Sequence, residues 1–323
     1  MGTGGVDVPP LTLLFEARMS ADERAAWWPA LQDALPHDTW IDGDGVDDAA
    51  RARADVAIVA NPAPGRLAAC TRLKLVQSLW AGVDRLLADP TLPPEAPLAR
   101  MVDPAMSAAM AETACWAVLS LQRGFLDYAQ AQRAGQWRPH AQRRADEVPV
   151  LVLGLGEMGR LAATRLAALG FPVTGWSRTR HTLPGIATCA GHDALHPALA
   201  SAAIVVNLLP LTPDTRGLFG AATFARMRAG ASLVNLGRGG HVVEDELLAA
   251  LDTGHVSRAV LDVFATEPLP PGHAFWAHPR VTVLPHVAAL TDVRTAVAVV
   301  RENVGAVRAG RAPAHQVSRA RGY

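Results

Sequence analysis

Val150-Leu-Val-Leu-Gly154-Leu-Gly156-Glu157-Met158-Gly159, followed by Arg160-Leu-Ala-Ala-Thr-Arg-Leu-Ala-Ala-Leu169 and Gly170, reads as strand, tight turn and helix. A short apolar run marks a strand buried on both faces, and Gly170 stops the helix behind it. The three glycines have separate tasks. Gly154 permits the turn, Gly156 lets a pyrophosphate approach the backbone, and Gly159 lets helix and strand pack closely. The first amides of the helix add free donors and a partial positive charge for phosphates. Three glycines alone say little; set between a strand, a helix and a further strand, they point to dinucleotide binding.

That further strand, residues 173–176, decides which dinucleotide. An NAD site places Asp or Glu at its end, bonded to the ribose 2′-hydroxyl. Here the chain reads Gly175-Trp-Ser177-Arg178-Thr179-Arg180, with no carboxylate. Two guanidinium groups interleaved with hydroxyls suit a 2′-phosphate dianion, which Arg grips through paired hydrogen bonds. NADP, with NADPH preferred and NAD as a lesser option, is the expected cofactor.

Outward from this unit, apolar runs alternate with helical patterns along the whole chain. Strands are expected at 11–17, 55–61, 75–79, 204–208, 232–236, 259–264 and 281–284, and a helix at 20–34. Asp103-Pro104 reads as an N-cap followed by proline in the first turn. Behind it Met106, Met110, Ala114, Ala117, Leu121, Phe125 and Tyr128 recur at spacings of three and four, predicting one long helix that ends at Gly135. Thr291 is expected to cap a last helix over 292–309. The pattern predicts an α/β chain of two Rossmann-like or flavodoxin-like domains, with parallel sheets flanked by helices and an active-site cleft between them. Residues 1–102 with 289–323 form the expected substrate domain, and 103–288 the NADP-binding Rossmann domain.

Composition agrees with this and excludes other classes. The chain has 323 residues, 50% of them hydrophobic and 19% charged, enough for two cores. Lys plus Arg and Asp plus Glu number 30 each, which argues against a nucleic-acid or polybasic membrane partner. Cys70, Cys115 and Cys189 are widely spaced and read as reduced thiols, with no metal-ligand pattern. Met1 to Pro10 has no secretory pattern, and the apolar run at 202–211, interrupted by Asn207, is too short to span a bilayer. A cytoplasmic address follows.

Three polar groups stand behind the carboxyl ends of three late strands: Arg238, Glu267 and His286. In doubly wound sheets that edge is where ligands bind, and Pro210 points to it as well. Hydride addition to a ketone needs a proton donor at the developing alkoxide, which His286 can supply near neutral pH. A carboxylate such as Glu267 beside it favours the ring that carries the extra proton. Arg238 offers a planar fork of donors for a substrate carboxylate and the polarised ketone oxygen.

These stretches resemble the D-isomer specific 2-hydroxyacid dehydrogenases. The resemblance runs through Asn235-Leu236-Gly237-Arg238-Gly-Gly-His-Val-Val-Glu, Leu261-Asp262-Val-Phe-Ala-Thr-Glu267-Pro, Pro285-His286-Val-Ala-Ala and Leu209-Pro210-Leu-Thr-Pro-Asp-Thr215-Arg-Gly217. Within the family, Leu79-Trp80-Ala81-Gly82-Val-Asp84, Trp176-Ser-Arg-Thr-Arg and the closing Gln316-Val-Ser-Arg-Ala-Arg-Gly-Tyr323 are most similar to the glyoxylate/hydroxypyruvate reductase A branch. The resemblance implies NADPH-dependent reduction of small 2-oxoacids, with His286 as acid/base, Glu267 as its partner and Arg238 on the substrate. It implies that the backbone amides of Ala81 and Gly82 hold the substrate carboxylate beside Trp80. On the cofactor side it implies Asp262 near the nicotinamide carboxamide, with Leu209, Pro210, Thr215, Leu236 and Gly237 in the cofactor loops. It also implies a homodimer built through residues 104–134. Gly237 departs from the pattern, because the family usually has Ala there, and a missing methyl would be expected to loosen the Arg238 loop.

Two other readings stand beside this one. The same chemistry could serve a bulkier, phenylpyruvate-like oxoacid, although Trp80 favours small substrates. The family also contains corepressors that keep the dehydrogenase fold and bind proteins, but this chain retains all three polar groups, and no appended interaction tail is expected.

Overall fold

The computed structural model describes residues 9–323. Residues 1–8, on which most of the expected absence of a secretory signal rests, lie outside the described residues. The chain divides into two compact units, Met1–Ala105 with Thr291–Tyr323, and Met106–Leu290.

The first unit is built on five parallel strands: β1 (Thr12–Ala17), β2 (Thr39–Asp42), β3 (Val56–Ala60), β4 (Leu75–Ser78) and β5 (Leu98–Ala99), in the order β2-β1-β3-β4-β5. β3 and β4 are buried throughout, as apolar runs covered on both faces require. β2 and β5 lie at the sheet edges and were not expected, since one is partly exposed and the other only two residues long. The helix Ala21–Ala34 starts where its chemistry dictates: Ser20 Oγ accepts the Glu23 amide at 3.2 Å, and Glu23 Oε2 accepts the Ser20 amide at 2.8 Å. The last helix, Val293–Arg308, is capped by Asp292, which accepts the Arg294 amide at 2.9 Å. Thr291, the expected cap, instead donates its hydroxyl to Leu79 O at 3.3 Å. Asn303 bonds Gln77 of β4 at 2.7 Å, which ties this returning helix to the sheet.

The second unit has seven parallel strands: β6 (Val150–Leu153), β7 (Val173–Ser177), β8 (Ala187–Ala190), β9 (Ile204–Asn207), β10 (Ala231–Asn235), β11 (Val256–Leu261) and β12 (Val281–Val283). Their order is β12-β11-β10-β9-β6-β7-β8. Successive residues feed opposite faces: Leu151, Leu153, Val205, Leu233 and Leu261 enter one apolar cluster, and Val150, Val152, Val206, Val234 and Val260 the other. The chain leaves β6 toward β7 and β8, then returns to β9 on its other side. The gap between β6 and β9 is therefore the topological switch point, where ligands of such sheets bind. β8, an edge strand with no fully buried residue, was not expected.

The single long helix expected to end at Gly135 is two helices, Pro104–Arg123 and Phe125–Arg133. Gly124 separates them at φ 67°, and a Cβ there would lie 2.1 Å from His140 Nε2. The apolar spacing continues across the break, so periodicity alone does not reveal it. Among the described residues no helix is long and apolar enough to cross a membrane, and no three His, Cys, Asp or Glu are grouped to hold a metal.

Candidate active site

The glycine loop follows β6 and heads the helix Glu157–Ala168. Gly154 sits at φ 95°, with its amide on Trp176 O at 2.8 Å; a Cβ there would lie 2.8 Å from Leu208 O. A Cβ on Gly159 would lie 1.7 Å from Gly154 O. Both glycines are thus required by the chain's own packing. Gly156 is not: a Cβ there meets nothing within 4 Å. The space over this backbone is open, as a dinucleotide pyrophosphate would need. Glu157 pairs with Arg160 on the exposed side of the helix, and Met158 packs against the core.

At the end of β7, Ser177 is buried and donates to Thr179 O at 2.7 Å, which bends the chain so that Arg178, Thr179 and Arg180 are exposed. After β9, the buried Leu209 leads into Pro210. Thr215 Oγ1 donates to Pro210 O at 2.8 Å and accepts the Thr212 amide at 2.8 Å, which closes this loop on itself. The residues present fit a nicotinamide dinucleotide, and the Ser177–Arg180 turn fits a 2′-phosphate better than a free hydroxyl.

Leu236, Gly237 and Arg238 follow β10. Gly239 is what brings Arg238 to its neighbours, because a Cβ on Gly239 would overlap the backbone carbonyl of Phe264. Only a glycine lets this turn abut the loop after β11, where Glu267 lies. Glu267 Oε1 accepts the Phe264 amide at 3.0 Å and Oε2 accepts from His286 Nδ1 at 2.8 Å. The carboxylate fixes the imidazole with its Nδ1 proton toward Glu267, leaving Nε2 as the working atom. Burial by itself would raise the Glu267 carboxyl. The hydrogen bonds from His286 and Phe264 and the charges of His286 and Arg238 outweigh it and hold Glu267 below its ordinary range. Of the three polar groups predicted from sequence, Glu267 and His286 are hydrogen-bonded, and the charge of Arg238 acts on the same carboxylate.

Asp262 is buried, and its carboxylate accepts the amides of Val287 at 2.8 Å and Ala288 at 3.1 Å. Burial raises its carboxyl despite those two donors. Thr113 of the helix Pro104–Arg123 donates to Ala288 O at 2.8 Å and fixes the far end of the same turn.

Gly237 does not leave a loosened loop. A Cβ there would lie 2.9 Å from Leu209 O, 3.1 Å from Asn207 Nδ2 and 3.1 Å from His241 Cε1, so the space of the missing methyl is already taken. The groups that take it were not foreseen. Asn207, Asn235 and His241 are fully buried and bonded to one another, with Asn207 Nδ2 2.9 Å from both Asn235 Oδ1 and His241 Nδ1. The available signal is an Asn closing each of two mainly apolar strands, at Asn207 and Asn235.

Trp80, Ala81 and Gly82 belong to the first unit, in the turn after β4. Trp80 donates its amide to Ser78 Oγ at 3.0 Å and accepts the Met101 amide at 3.1 Å. Its ring meets the buried Trp27 edge-on, with centroids 6.2 Å apart.

Comparison with known proteins adds a family. Residues 115–288 match the model of the D-isomer specific 2-hydroxyacid dehydrogenase, NAD binding domain. A D-isomer specific 2-hydroxyacid dehydrogenase from Xanthobacter autotrophicus, solved with NADPH and MES, is 41% identical at a TM-score of 0.91, over 97% of this chain and 100% of that one. An NADPH-dependent glyoxylate/hydroxypyruvate reductase from Sinorhizobium meliloti, solved with NADP and sulfate, is 36% identical at a TM-score of 0.89, over 97% and 100%. A probable 2-hydroxyacid dehydrogenase from Rhizobium etli, solved with NADP, HEPES and L(+)-tartaric acid, is 29% identical at a TM-score of 0.89, over 98% and 100%. With the glycine loop, the parallel sheets and the Arg238, Glu267 and His286 group already in hand, the chain belongs to the D-isomer specific 2-hydroxyacid dehydrogenase family and is an oxidoreductase that carries the family's NAD-binding domain.

Proposed function

We propose that this enzyme reduces small 2-oxoacids, glyoxylate and hydroxypyruvate among them, to 2-hydroxyacids with NADPH. The observation that carries the reading is the 2.8 Å Glu267–His286 pair, with the positive charge of Arg238 acting on the same carboxylate. When bound, the reduced nicotinamide supplies a hydride to C2 of the ketone. Arg238 grips the substrate carboxylate and polarises the ketone oxygen, so that negative charge develops beside a fixed cation. His286 gives its Nε2 proton to the nascent alkoxide, and Glu267 stabilises the ring while it is charged. The product carries a C–H and an O–H where the C=O stood, and solvent restores the proton to His286.

Support for NADPH comes from the exposed Arg178 and Arg180 at the end of β7 and from the relatives solved with NADPH or NADP. Asp262 belongs to the nicotinamide side of the site through its hold on the turn after His286. Trp80, with Ala81 and Gly82, supplies the substrate contacts of the first unit, and a Trp80 ring backed by Trp27 favours short side chains. A homodimer through residues 104–134 and a cytoplasmic setting complete the reading. The partly exposed Trp116 and Phe125 on the two helices suit such an interface.

The test is a panel of 2-oxoacids assayed with NADPH and with NADH, on the wild type and His286→Ala. Rapid NADPH consumption with glyoxylate or hydroxypyruvate, lost in the variant, is expected. Faster turnover of a phenylpyruvate-like acid would move the assignment to bulky substrates. Tight NADPH binding without turnover of any acid would end it.

A further inference from the structure

His241 lies three residues past Arg238, at the end of the turn Gly239–His241, and has no exposed surface. Proton donation by His286 has no use for a second, buried imidazole. Yet this ring is engaged at both nitrogens. Nδ1 accepts the backbone amide of Arg238 at 3.1 Å, and Asn207 Nδ2 approaches the same nitrogen at 2.9 Å. A nitrogen that accepts a backbone N–H carries no proton, so the ring is the neutral Nε2–H tautomer. That remaining N–H donates to the carbonyl of Pro210, 3.2 Å away. The backbone of His241 is itself anchored, with its carbonyl on the Phe219 amide at 2.8 Å.

Two more polar groups of Arg238 are engaged as well. Its carbonyl accepts Asn235 Nδ2 at 3.0 Å, and its Nη1 donates to Gly237 O at 2.8 Å. The backbone of Arg238 is therefore fixed from two sides by buried side chains, His241 at its amide and Asn235, the last residue of β10, at its carbonyl. We infer that His241 is a positioning residue: through Nδ1 it sets the reach of Arg238, and through Nε2 it ties the Arg238 turn to the Pro210 loop. The inference rests on the proposed role of Arg238 at the substrate.

The chemistry explains why a histidine stands there. The position needs an acceptor close to the chain and a donor one ring-width further out. The Oδ1 of an asparagine can replace the near acceptor, because it is bonded to Cγ as Nδ1 is. A glutamine amide can reach the far donor position, and a leucine fills the volume with neither.

The experiment compares His241→Leu, His241→Asn and His241→Gln with Arg238→Lys, measuring kcat and KM for glyoxylate at saturating NADPH, NADPH affinity by fluorescence titration, and Tm. His241→Leu is expected to lower kcat/KM by about 10- to 100-fold, the scale of a misplaced binding group, while NADPH still binds. His241→Asn should recover most of that loss and His241→Gln little of it. Wild-type kcat/KM in His241→Leu overturns the inference. So do Asn and Gln variants whose activities follow Tm alone, because a purely structural role would not separate them. Should the leucine variant fail to fold, the Asn-to-Gln comparison decides by itself. Arg238→Lys separates the two levels: a variant with full activity sinks the reading of Arg238 and this inference together. A collapse in Arg238→Lys with His241→Leu intact sinks only the role of His241.

Discussion

The carbonyl oxygen of Asp262 accepts the amide of His286 at 2.9 Å, and the carboxylate of the same residue accepts the next two amides in the chain. At that point His286 stands at φ 56°, a left-handed conformation that costs a non-glycine residue about 1 kcal/mol or more. One buried acidic residue thus holds the turn that aims the imidazole at Glu267, and the strain persists because three hydrogen bonds determine the backbone.

Asp262→Ala leaves the Val287 and Ala288 amides without their acceptor. A loss of about 1–3 kcal/mol in stability is expected, read as a lower Tm, together with a fall in kcat as His286 loses its aim. Asp262→Asn keeps one acceptor oxygen and should fall between the two. Unchanged kcat in the alanine variant would mean that Glu267 alone orients the ring.

Acid should reveal Glu267. Its folded pKa lies below the ordinary 4.5, so its contribution to stability is complete above 4.5 and is lost as pH falls toward the folded value. Asp262 has the opposite sign: its folded value is raised, so its ionisation weakens the fold as pH climbs from 3.8 through that value. Tm curves for wild type and Glu267→Gln should converge as pH drops below 4.5. A gap that stays constant would assign the stabilisation to something other than the ionised carboxylate.

Cofactor choice should respond to the turn after β7. Replacing Arg178 with Ala is expected to weaken NADPH far more than NADH, since only NADPH carries the extra phosphate, and adding Arg180→Ala should widen the difference. Dissociation constants for both cofactors measure this. Equal losses would remove the 2′-phosphate role.

Gly237→Ala tests how closely the Arg238 turn is packed. With Leu209 O only 2.9 Å from the new Cβ, the substitution should cost about 1–3 kcal/mol and displace the turn, lowering Tm and kcat/KM together. A gain in both would show that the turn was loose.

Much of this protein is legible one segment at a time. The run Val150–Leu153, the glycine spacing behind it and the missing carboxylate after Trp176 are local signals, and β6, β7, β9, β10, β11 and β12 lie where apolar runs predict them to within a few residues. Edge strands β2, β5 and β8 escaped because strands at an edge need not be uniformly apolar. The break at Gly124 escaped because a helical period continues through it. The cap of the last helix moved one residue because Thr291 and Asp292 are both capable caps, and Thr291 is bonded to Leu79 instead.

The strands, the nucleotide loop and the polar residues behind strand ends are written in short stretches of chain, since these follow from side-chain periodicity and turn chemistry within a few residues. That Glu267 takes His286, that Gly239 abuts Phe264, and that Asn207, Asn235 and His241 close under Arg238 is fixed by the folded arrangement of the strands. Those contacts join segments 19 to 34 residues apart. Their partners depend on which strands are neighbours, and strand order is settled when the parallel sheet assembles, not by any stretch of chain alone.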